Sequence, residues 1–97
     1  MSAVIVITSR DNVATALEPL APGRTIDAGG VAVTVRESIA SGHKIALSRI
    51  PAGGQVVKYG SPIGTATSDI EAGAHVHTHN VASGRGRGDL PARGAVR

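Results

Sequence analysis

Ninety-seven residues make one domain, and with no cysteine among them the chain has neither disulfides nor thiolate chemistry, so any metal site must use histidine, carboxylate or water. The formal net charge of +3 sits at one end: residues 1–81 carry six basic and six acidic groups, whereas Arg85, Arg87, Arg93 and Arg97 are opposed only by Asp89. The basic excess is therefore no sign of a nucleic-acid-binding domain.

Eleven valines and eight isoleucines against a single aromatic, Tyr59, favour strands around a thin aliphatic core. A domain this small buries only about 60–65 % of its chain surface, so a partner's surface, or that of a second copy, would help it. The apolar run Ala3–Ile7 has no basic residue before it and is too short for a signal peptide or a membrane span. It reads as a buried first strand of a cytoplasmic protein.

A short helix is expected near residues 11–18. Ser9 or Asp11 would cap it, Val13, Ala16 and Leu17 would form its apolar stripe, and Pro19 would end it. Thr25–Asp27 and Val31–Val35 read as strands joined at Gly29-Gly30. Glu37–Ser41 is a connector, and Gly42-His43-Lys44 opens a strand that runs to Ile50. Pro51–Gly54 is a turn. Gln55–Tyr59 is a further strand, stopped by Gly60, and Pro62–Thr67 suits a strand or a helical turn. No repeat at a fixed period is evident. The chain as a whole reads as mostly β, with six or seven short strands.

Three of the four histidines then alternate in Gly73-Ala74-His75-Val76-His77-Thr78-His79-Asn80. In an extended strand they project from one face, about 6.6 Å apart from neighbour to neighbour, so one ion could bridge two of them but not all three. Unpaired imidazole is costly to bury, so metal binding or acid/base work is expected of at least one. Residues 82–97 lack periodicity and read as a mobile Gly/Arg-rich tail behind a domain over residues 1–81. Two Arg-Gly copies without interleaved aromatics are a weak signal for RNA.

Four stretches together resemble the SAF domain of the altronate dehydratase family: Asp11–Ala14 with Ala16-Leu17, Gly42–Lys44 with Ala46-Leu47, Lys58–Gly60 with Pro62–Gly64, and Asp69-Ile70 with Gly73–Asn80. The resemblance covers about residues 4–81. It implies an SAF-type β-clip fold, a long bent hairpin folded over on itself, and a lyase context. That context is elimination of water or sulfite from a sugar acid or sulfolactate, with this chain as the small subunit beside a large catalytic one. The alternating histidines lean toward the altronate and sulfolactate branch.

Such chemistry removes a proton α to a carboxylate and needs a cation or fixed donors for the anion that develops. His75, His77 and His79 are the candidate metal ligands, with Fe(II) or Mn(II) suiting imidazole and oxygen and Zn also accepted. His43, Lys44 and His77 are the candidate catalytic residues: His43 as acid toward the leaving group, Lys44 as point charge for a carboxylate, His77 as acid or base. Lys58, Tyr59 and Asn80 are candidates for holding substrate. Lys58-Tyr59 would otherwise close the fold, with Tyr59 as a core anchor. Catalysis by the chain alone is not expected. The alternative is a free-standing SAF-type module that binds a carbohydrate or metal ion.

Overall fold

The computed structural model describes residues 3–83, and the Arg-Gly segment expected to form a mobile tail lies outside them from residue 84 onward. Among the described residues nine strands form, all antiparallel in their pairings: β1 (Val4–Ile5), β2 (Val13–Ala16), β3 (Thr25–Ala28), β4 (Val31–Thr34), β5 (Lys44–Ala46), β6 (Gln55–Lys58), β7 (Ser61–Ala66), β8 (His75–Val76) and β9 (Val81–Ser83). A central sheet has the order β1-β2-β5-β8. The hairpin β3–β4 stands by itself, and β6-β7-β9 make a third sheet. The mostly β, SAF-type expectation holds.

The helix expected near residues 11–18 does not form: among the described residues there is none, and Val13–Ala16 is strand β2. The reason is burial on both faces. Val13 belongs to one apolar cluster, with Ile50, Val56, Ile70 and Val76. Its neighbour Ala14 belongs to the other, with Leu20, Ile26, Val33, Ile39 and Ile45. A strand sends successive side chains to opposite faces and so serves both clusters, whereas a single helical stripe serves one. β-branched Val13 and Thr15 also favour the pleated form. Asp11 and Asn12 are accordingly no helix cap. Asn12 accepts a hydrogen bond from Val57 N at 2.8 Å and donates from Nδ2 to Gln55 O at 2.9 Å, which fixes β6 to the start of β2.

The Asp11 carboxylate accepts hydrogen bonds from Gly60 N and the Thr8 hydroxyl, both at 2.8 Å, and from Ile7 N and Thr8 N at 3.3 Å. Burial works to raise its pKa, but these donors favour the charged form together and hold it at about 2, below the ordinary 3.8. Its contribution to stability is therefore complete above about pH 4 and is lost as pH falls through 2. Asp11→Asn is expected to lower the urea midpoint at pH 7 and to lose less on acidification from pH 4 to 2 than the wild type does.

A repeat is present, though not at a fixed period. Four segments of the pattern aliphatic-x-x-Gly begin at a bridging aliphatic residue: Leu20–Gly23, Ile39–Gly42, Ile50–Gly53 and Ile70–Gly73. Each glycine has φ between +85° and +91°. Leu20 and Ile39 exchange both backbone hydrogen bonds, and so do Ile50 and Ile70. Each pair closes the base of a hairpin arm, β3–β4 in the first and β6–β7 in the second. Both arms end in a two-residue turn, Gly29-Gly30 and Tyr59-Gly60. The central sheet lies between the arms, with one apolar cluster on each of its faces.

Candidate functional site

His43 follows the exit turn of the first arm and His75 the exit turn of the second. The pairing of β5 with β8, Lys44 opposite Val76 and Ile45 opposite His75, sets the two exits side by side at the edge of the central sheet. Directly paired residues share a face. His75 thus lies with Ile45 on the side of the first arm, and Lys44 lies with Val76 on the side of the second.

The alternation expected through His79 stops after Val76. His77–Asn80 is a turn, in which Asn80 N donates to His77 O at 3.1 Å. The Asn80 side chain sets it: Oδ1 accepts from His77 N at 2.9 Å and Nδ2 donates to His75 O at 2.8 Å. Asn80 is buried, and its amide is spent on backbone. The turn folds His77 back over His43, ring centroids 4.0 Å apart and planes within 10°. His43 Nδ1 and His75 Nε2 are 2.8 Å apart, one ring giving a proton and the other a lone pair. His75 N also donates to Glu37 Oε2 at 3.0 Å.

Ring nitrogens of His43, His75 and His77 all lie within 4.8 Å of one another. First-row ions take imidazole at about 2.0–2.2 Å, so ligand nitrogens on one ion sit about 3–4 Å apart. The nitrogens are close enough for one ion once the stacked rings of His43 and His77 turn to bring their lone pairs to a common point. Burial, followed by repulsion from His79, His43 and His77, holds His75 below the usual histidine value, against Glu37. Burial, followed by His43, Lys44 and His79, does the same for His77. Neutral imidazole is the form that coordinates a metal. The structure thus brings His43 to His75 and His77, while His79 stands outside the trio against the His75 ring, at 5.2 Å between centroids.

Two hollows meet at the cluster. One, of about 260 Å³, is lined by Lys44, Val56, Ile63, Val76, His77 and Val81. The other, of about 450 Å³, runs over Pro19, Leu20, Ser38, Ile39 and Ala40 to His43 and His75. In the second arm the matching positions of the repeat hold Arg49, Asp69 and Glu71, linked by ion pairs of 3.0 and 3.3 Å. In the first arm Pro19, Ser38 and Ala40 stand there and leave the approach to the histidines open. Lys58 and Tyr59 are not brought to the cluster. They form the tip of the second arm, and Tyr59 is 60 % exposed rather than a core anchor.

A model of the altronate/galactarate dehydratase SAF domain matches residues 2–84. The chain belongs to this SAF domain family. It is 51 % identical over 76 residues to an altronate dehydratase of Escherichia coli and 45 % identical over 80 residues to one of Bacillus subtilis. Those matches take in 78 % and 82 % of the chain but only 15 % and 16 % of the relatives' lengths. It is also 45 % identical over 56 residues to the alpha subunit of a (2R)-sulfolactate sulfo-lyase from Paracoccus pantotrophus, spanning 58 % of this chain and 84 % of that subunit.

Within this SAF domain, Asn80→Ala strands two part-buried backbone groups, His77 N and His75 O, and is expected to cost about 1–3 kcal/mol. Chemical denaturation checks that figure.

Proposed function

We propose that this SAF domain is part of a lyase that expels water or sulfite from a sugar acid or 2-hydroxy acid, and that it lends histidines to a site completed by a larger catalytic chain. The convergence of His43, His75 and His77 at the meeting of two open hollows carries this reading. It is supported by the relatives, which are altronate dehydratases and a sulfo-lyase subunit. The hollows are shallow and mostly apolar, so the remainder of a polar substrate's contacts must come from the other chain.

His43, His75 and His77 would hold a divalent ion, Fe(II) or Mn(II) by ligand type, with Zn(II) also suited. When bound, it supplies positive charge beside a developing anion. His77 lies on the Lys44 hollow and is held below the usual histidine pKa by burial; with no ion on its one lone pair, it is suited to accept the α-proton. Lys44 faces the same hollow and offers a point charge for the carboxylate. His43, its Nδ1 joined to His75 by the 2.8 Å hydrogen bond, can when protonated from solvent give a proton through its other ring nitrogen to a departing hydroxide, forming water and neutral imidazole.

Co-purification of the tagged chain from its own cells, followed by assay for elimination from altronate, galactarate and sulfolactate, tests the reading. A stoichiometric catalytic chain is expected, with activity on one of the three. A complex inert on all three, or a chain recovered without a partner, overturns it.

A further inference from the structure

The two arms supply an internal comparison at their tips. Both close with a two-residue turn between directly paired residues, Ala28 with Val31 and Lys58 with Ser61. The backbone is nearly the same: φ is +63° and +91° at Gly29 and Gly30, and +58° and +72° at Tyr59 and Gly60. This left-handed conformation opposes any side chain with a Cβ, and the first arm meets the requirement with glycine at both positions. The second arm places the chain's one aromatic there, so the fold itself does not call for Tyr59. Backbone strain of this kind persists where the side chain serves a purpose.

The ring is 60 % exposed, with Lys58 Nζ 4.8 Å from its centroid. Arg10 reaches the same tip, a guanidinium nitrogen 3.1 Å from where a Cβ on Gly60 would stand. Neither cation has an ion pair among the described residues. The acid nearest in sequence, Asp11, turns its carboxylate inward onto Gly60, Thr8 and Ile7. The tip thus presents an aromatic flanked by two unpaired cations on a protrusion. Small-molecule sites are concave, and neither Lys58 nor Tyr59 borders the hollows at the histidines. Tyrosine and arginine are the side chains that anchor protein interfaces.

We infer that the tip formed by Arg10, Lys58 and Tyr59 docks on a carboxylate-rich surface of the catalytic chain. The inference rests on the reading above that such a chain completes the enzyme. Tyr59→Gly recreates the turn of the first arm, so it separates docking from folding. The isolated full chain carrying it is expected to melt no lower than wild type, while its affinity for the separated catalytic chain falls at least about tenfold. Arg10→Ser with Lys58→Ala is expected to flatten the salt dependence of that affinity. Unchanged affinity in Tyr59→Gly overturns the inference and leaves the lyase reading standing. Failure of the wild type to recover a catalytic chain overturns both. If Tyr59→Gly instead dissolves a self-dimer of this chain in sedimentation, the tip is a contact between copies and the inference falls.

Discussion

Gly73→Ala is expected to destabilise the domain by about 3 kcal/mol or more, a large share of what a domain of this size has. Two effects combine. Gly73 has φ +87°, which a Cβ opposes. A Cβ built there also runs into the carbonyl oxygen of Thr34 on β4. The backbone cannot retreat easily, because Gly73 O accepts from Arg36 N at 2.9 Å and Gly73 N donates to Ala46 O at 2.8 Å. Gly23→Ala is the control. Its φ is +91° and nothing lies within 4 Å of the added carbon, so it carries the conformational cost alone, about 1–2 kcal/mol. Urea denaturation of the two variants isolates the clash as their difference. Equal losses would show that β4 gives way freely.

His77→Ala is expected to lower turnover of the assembled enzyme by more than about tenfold, with most of the loss in kcat. His43→Ala should match it, because the two rings stack at 4.0 Å and belong to one trio. His79→Ala should lose less, since its ring meets only His75 and lies outside the trio. Titration of the isolated chain with Mn(II) supplies a second readout: binding is expected to weaken strongly in His43→Ala, His75→Ala and His77→Ala and little in His79→Ala. Full turnover in His77→Ala would remove it from any acid/base role. Equal losses for all four would mean that the ring stack matters only as packing.

The β class was legible because valine and isoleucine dominate and Gly-Gly marks a hairpin. The stretch Val13–Ala16 misled because Asp11 before Val13, Ala16 and Leu17 copies the start of an amphipathic helix. Only the presence of two apolar clusters, a tertiary fact, makes it a strand. The histidine stretch was conspicuous from its alternation, yet alternation pointed to His79 as third ligand where geometry points to His43. The turn that folds His77 back was signalled by Asn80, a residue type whose amide readily replaces backbone partners. His43 could be joined to the others only through the pairing of β5 with β8. The repeat of aliphatic-x-x-Gly escaped a search for one period because its intervals are 19, 11 and 20 residues.

That the histidines come from the exits of two arms has a kinetic consequence. Neither arm alone contains the trio: residue 43 waits through the whole of the second arm before residues 75 and 77 reach it. Bringing them together requires closing a loop of about thirty residues, an entropic step met only when β8 docks on β5. A ligand that needs all three imidazoles therefore finds nothing to grip on a partly folded chain. It binds after the last pairing and slows its reversal, so its capture reports that folding is complete.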